Sequence, residues 1–181
     1  MIRRGKAARY GGVAKLLHWL TALLILVIVP VGLVMTRLDG GPLQDRLFTL
    51  HESTGITILV LTVLRFLWRI GHGAPTHSTA LAPIEVAASG AVHWLLYALL
   101  ILMPVSGYIF VVAGDFPITW FDLFQVPRFL AKDEALSKLG ETAHLTLQYA
   151  VYGAVGLHVA AALHHHFFKR NDVLSRMLPF S

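Results

Sequence analysis

Residues 16–36 carry no formal charge. That run is about as long as the roughly 20 apolar residues an α-helix needs to cross a bilayer. Lipid offers no water to an unpaired amide, so such a run must close its backbone hydrogen bonds within itself as a helix. The pattern recurs along the chain. We expect four spans, at about residues 16–36, 47–70, 86–112 and 142–168. The fold class is then all-α: an integral membrane four-helix bundle, one domain over residues 1–181. The second span is interrupted by Glu52 near one end and by Arg65 and Arg69 near the other, where charged groups snorkel or serve a cofactor. Pro104 predicts a kink in the third. The composition agrees, with 56% hydrophobic and 14% charged residues, against about 25% charged in soluble domains. The first run is too long for a signal-peptide core and lacks a small-x-small cleavage site before the next polar stretch, so it is expected to be a retained helix.

The loops carry opposite charge at the two ends of the bundle. Arg3, Arg4, Lys6, Arg9, Lys15, Arg65, Arg69, Lys169, Arg170 and Arg176 fall at one end, with only Glu85 and Asp172. Arg37, Arg46, Arg128, Lys132 and Lys138 fall at the other, among eight acids. The positive-inside rule therefore places both termini in the cytoplasm, which suits an even number of spans. The formal charge of +5 reads as this loop bias rather than as a nucleic-acid surface, for no basic patch is interleaved with polar groups. The longest connection, residues 115–140, carries Phe116, Trp120, Phe121, Phe124 and Phe129. Aromatic side chains in such a loop suit a segment at the membrane interface, as an ordered cap on the bundle or as a docking surface.

The chain has ten histidines and no cysteine. The missing thiols exclude disulfides, thioether-attached haem and cysteine-ligated iron–sulfur clusters. The histidines fall at two depths. His51 and His144 open the second and fourth spans at the outer end, whereas His18 and His93 lie at the cytoplasmic ends of the first and third. His158 follows His144 by fourteen residues, roughly four helical turns and about 21 Å along the axis. The two therefore share a face at different depths, with His165 near the same stripe. Intramembrane ionisable groups face a bundle interior, so each depth offers two or more histidines from different helices. Such pairs can clamp a b-type haem from both sides, the cytoplasmic partner of His158 being either His18 or His93. Bis-histidine iron has no open position, which favours electron transfer over oxygen chemistry. Gly55, Gly90, Gly153 and Gly156 lie near these histidines along the chain and are either clearance for a macrocycle or ordinary packing. Arg65 and Arg69 either pair with haem propionates or snorkel. His72 and His77 read as loop residues, His164 and His166 as headgroup-facing.

At these residues the chain resembles the bacterial cytochrome b561 family over nearly its whole length. The resemblance rests on His18-Trp19, on His51 with Gly55, and on His93-Trp94-Leu95-Leu96-Tyr97. It continues through His144, Gly156-Leu157-His158, Leu163-His164-His165-His166 and the closing Leu174-Ser175-Arg176-Met177-Leu178-Pro179. It implies two haems b, with His18 and His158 holding the cytoplasmic one and His51 and His144 the outer one. It implies a quinone, ubiquinone in the first instance, with His93 and His165 as candidates for its pocket, and a location in the bacterial inner membrane. Some family members are superoxide oxidases that pass the electron of superoxide to ubiquinone, and others serve a periplasmic redox protein. Three functions are in view: a quinone-linked oxidoreductase, a passive cytochrome subunit of a dehydrogenase or hydrogenase, and a metal or proton transporter. The last lacks the midplane carboxylate such transport uses.

Overall fold

The computed structural model describes residues 9–73, 75 and 81–179. Arg3, Arg4, Lys6 and His77 lie outside the described residues. Four helices account for nearly all of it: α1 Gly12–Met35, α2 Pro42–His72, α3 Pro83–Ala113 and α4 Glu134–Phe167. All four are long and apolar enough to span a membrane. The remaining element is a small antiparallel hairpin between α3 and α4, β1 Thr119–Trp120 and β2 Phe124–Gln125, with Thr119 opposite Gln125 and Trp120 opposite Phe124. The bundle thus has a hairpin end and a tail end, the latter carrying residue 9 and the C-terminal segment.

Helices α2 and α4 begin earlier than hydropathy suggests. Gly41, at φ 100°, turns the chain where a side chain would be strained, and Pro42 opens α2 at a position that needs no amide donor. Helix α4 begins at Glu134, capped by Asp133, whose side chain accepts from the Leu136 amide at 2.9 Å. Its first two turns hold Glu134, Lys138 and Glu141 and project beyond the apolar span. At 31, 31 and 34 residues, α2, α3 and α4 exceed the roughly 20 residues a bilayer core requires. Both α1 and α3 stay helical through Pro30 and Pro104. His72, expected in a loop, is the last residue of α2, where its ring stacks on Trp68 at 3.7 Å.

The packing inverts the soluble rule. Leu16, Leu23, Leu26, Leu67, Trp94 and Leu157 point outward, while Thr21, Ser53, Thr54, Thr62 and Ser106 are buried. Small hydroxyl residues let helices approach closely in lipid, and their hydroxyls find carbonyls within the helix. Thr21 donates to the Leu17 carbonyl at 2.8 Å and Ser106 to that of Met103 at 2.8 Å. Sequential neighbours pack together, α1 on α2, α2 on α3 and α3 on α4. The α3–α4 seam is closest at Gly140, where a Cβ would stand 2.6 Å from the Phe110 amide nitrogen. Among the described residues no Cα of α4 comes within 8 Å of a Cα of α1 or α2.

The aromatic loop is an ordered cap. Ser53, fully buried on α2, accepts from the Phe121 amide at 2.8 Å, and Trp120 Nε1 donates to Thr57 Oγ1 at 3.1 Å. On the α3 side, Tyr108 donates to the Pro127 carbonyl at 2.7 Å and accepts from the Phe129 amide at 2.9 Å. At the tail end, residues after α4 fold back under the bundle: Trp19 Nε1 donates to the Met177 carbonyl at 2.8 Å, and Lys169 pairs with Glu85 at 3.1 Å.

Candidate functional site

The helix order puts the histidines at both ends of the seam that α4 leaves open. His51 on α2 and His144 on α4 face each other at the hairpin end, ring centroids 6.1 Å apart and planes at 76°. His18 on α1 and His158 on α4 do the same at the tail end, at 6.2 Å and 79°. Two imidazoles on opposite sides of one metal, each about 2 Å from it through a nitrogen, have ring centres about 6 Å apart. Both pairs fit that spacing, and α4 meets α1 and α2 here through rings rather than backbone. Among the described residues no three His, Cys, Asp or Glu side chains are grouped to chelate a bare metal ion.

The surroundings of the rings also fit a ligand role. Nδ1 of His18 and of His51 is buried without a hydrogen bond of good geometry, the Ile28 carbonyl lying near the His51 ring. Buried polar atoms are rarely left so in a finished structure. His144 differs, with Nδ1 2.9 Å from the Met103 carbonyl and 3.4 Å from Ser106 Oγ. The carbonyl can only accept, so Nδ1 carries the proton and Nε2 is free to ligate. Two glycines make room for the rings. A Cβ on Gly32 would stand 3.0 Å from His51 Cε1, and one on Gly107 would stand 2.9 Å from His144 Cε1. Neither is near its histidine in sequence. Of the glycines that are, Gly90, Gly153 and Gly156 border open space, and Gly55 meets only Ile28 Cδ1 at 3.7 Å.

The tail end is more crowded. His93 on α3 packs edge-on against His158 at 5.4 Å, and its Nδ1 lies 3.3 Å from Ser89 Oγ. Arg65 and Arg69 both hang over the Tyr97 ring, at 5.5 and 5.9 Å, and make no ion pair among the described residues. Arg65 lines one small cavity with Tyr10 and Ala14 of the α1 end, Tyr97 of α3 and Met177 of the tail. His165 Nδ1 lies 2.9 Å from Asn171 Nδ2. Of the five cations at the hairpin end, Arg128 pairs with Asp115 at 2.6 Å and Lys138 with Glu141 at 2.7 Å.

Known proteins resemble this chain over most of its length. The sequence pattern of the family described as prokaryotic cytochrome b561 matches residues 9–180. Cytochrome b561 homolog 2 of Escherichia coli (strain K12) is 34% identical over 173 residues, covering 94% of this chain and 91% of the relative. The probable superoxide oxidase CybB of Yersinia pestis is 29% identical over 163 residues, covering 90% and 92%. Cytochrome b561 homolog 1 of Escherichia coli (strain K12) is 25% identical over 170 residues, covering 90% and 93%. With four spans and histidines at both ends of its open seam, the chain belongs to the prokaryotic cytochrome b561 family, membrane electron-transfer proteins that bind haem b.

Proposed function

We propose that this chain is a di-haem b oxidoreductase of the bacterial inner membrane, taking electrons from superoxide at its outer face and delivering them to ubiquinone. The observation that carries the reading is the pair of histidine couples at opposite ends of α4, each near 6 Å and near perpendicular. Haem b held there would supply reversible one-electron chemistry. His51 and His144 hold one group and His18 and His158 the other. The Met103 carbonyl, Gly107 and Gly32 keep the first two rings in place. Arg65 and Arg69 offer guanidiniums to propionates at the tail end. His93 and His165 are the candidates to hydrogen-bond a quinone and pass it protons. In this reading the hairpin end faces the periplasm and both termini the cytoplasm, as the loop charges suggest. Arg37, Arg46 and Lys132, which make no ion pair among the described residues, supply a local attraction for an anionic donor. The name of the Yersinia pestis relative supports superoxide as that donor.

The test is the purified chain in detergent. Two haems per chain, a bis-histidine spectrum, and ubiquinone reduction on adding superoxide with no other protein are expected. A colourless preparation overturns the haem assignment. Two haems reduced only in the presence of a dehydrogenase or a periplasmic redox protein assign the chain instead as a passive cytochrome subunit.

A further inference from the structure

The two ends of the seam treat their histidines differently, and the differences act in one direction. At the hairpin end the His144 Nδ1–H donates to the Met103 carbonyl at 2.9 Å. Ser106, which donates to the same carbonyl at 2.8 Å, fixes that side of α3, and Gly107 lets the ring lie close against it. A hydrogen bond from the far nitrogen makes an imidazole a more basic ligand, and a more basic ligand favours the oxidised metal. His18 Nδ1 at the tail end and His51 Nδ1 at the hairpin end are alike buried without a good hydrogen bond, so the difference between the ligands is the bond that His144 makes. What the tail end has instead is Arg65, a mostly buried guanidinium without an acid partner among the described residues, held 5.5 Å from the Tyr97 ring and lining one cavity with Ala14, a turn before His18. A fixed positive charge in a low-dielectric interior favours the state with one more electron.

We propose that these residues polarise the molecule. The Met103–Ser106–Gly107 station lowers the reduction potential of the His51/His144 site, and Arg65 raises that of the His18/His158 site. Electrons then run downhill from the hairpin end to the tail end. The inference rests on the di-haem reading above and adds to it a direction and the residues that set it. The transfer between sites moves one electron and no proton: the hairpin-end site loses one electron as the tail-end site gains one. Ser106 and Gly107 are positioning residues, since they act through His144. Arg65 acts by its charge.

The experiment is a spectroelectrochemical titration of the holoprotein in detergent, with the sites assigned from His51→Ala, which should keep only the tail-end site. The hairpin-end site is expected to take up its electron at the lower potential, with the tail-end site favoured at least about tenfold, which for one electron is about 59 mV. Gly107→Ala, whose Cβ would push the His144 ring off the Met103 carbonyl, should raise the hairpin-end potential alone and alter its low-spin resonance signature. Arg65→Gln should lower the tail-end potential alone. Should Gly107→Ala lose its haem, the order in the unmodified protein and the Arg65→Gln shift still decide. Two haems with equal potentials or the reverse order overturn this inference and leave the di-haem reading standing. Fewer than two haems in the unmodified protein overturns that reading itself.

Discussion

The two ends of α4 hold the same pair of residues in unlike settings. At the hairpin end His51 and His144 are served by backbone and by absence: a carbonyl on α3, two glycines, and a hairpin bolted to α2 through Ser53 and Thr57. At the tail end His18 and His158 are served by side chains: a third imidazole, two guanidiniums and the Tyr97 ring. A site built from backbone and empty space holds one geometry and tolerates little. A site ringed by titratable and charged side chains has groups to spare for protons and anions. That contrast suits the proposed division between a simple electron-transfer end and a proton-coupled quinone end.

Ligand removal should break the comparison most sharply. His51→Ala or His144→Ala is expected to halve the haem content and keep the tail-end spectrum, and His18→Ala or His158→Ala to do the converse. Full haem content in both hairpin-end variants would refute that pairing. Next come the glycines. Gly32→Ala, whose Cβ would stand 3.0 Å from the His51 ring, should weaken haem binding at the hairpin end by about ten- to a hundredfold, the range for disturbed metal-ligand orientation. Gly90→Ala, which opens on free space, should leave both spectra unchanged. An equal effect from the two would mean that ring clearance is not what Gly32 provides. A smaller effect is expected from His93→Ala and His165→Ala. Both should keep two haems while slowing quinone reduction several-fold, and unchanged rates would remove these histidines from the quinone pocket. The smallest concerns Asp115, whose carboxyl the Arg128 guanidinium holds below its ordinary value. A lowered carboxylate pKa in the folded state means that any stabilisation is present above the ordinary value near about 3.9 and fades as pH falls through the lowered one. Asp115→Asn, suited to the φ of 71° there, should leave the cap's hydrogen exchange at neutral pH nearly unchanged and remove its acid dependence. A large neutral-pH change would show the ion pair to be worth more than surface pairs usually are.

Much of this architecture is legible in the amino-acid sequence. Charge-free runs mark three spans and a long apolar run the fourth because lipid enforces helices, and the fourteen-residue interval puts His144 and His158 on one face. The early turns of α4 are hidden because Glu134, Lys138 and Glu141 lower the hydropathy just where the helix leaves the apolar layer. The hairpin is hidden because two-residue strands have no period, and it is fixed by α2 hydroxyls far away in sequence. Gly32 and Gly107 cannot be told from other membrane glycines, since each matters only through a ring on another helix. The choice between His18 and His93 escapes spacing for a plain reason: both stand beside His158, at 6.2 and 5.4 Å.

The missing backbone approach between α4 and its neighbours α1 and α2 bears on biogenesis. Sequential helices pack through their own backbones, α2 on α3 included, but the α4 face toward α1 and α2 has no such approach and meets them through imidazoles. Whatever sits between those rings is mortar as well as redox centre, and a ligand that binds only the closed form stabilises it by mass action. In a cell starved of haem, newly made chains would insert with α4 less firmly held against α1 and α2 and more open to membrane proteases. The supply of cofactor would then set how much of the protein accumulates, before any electron has moved.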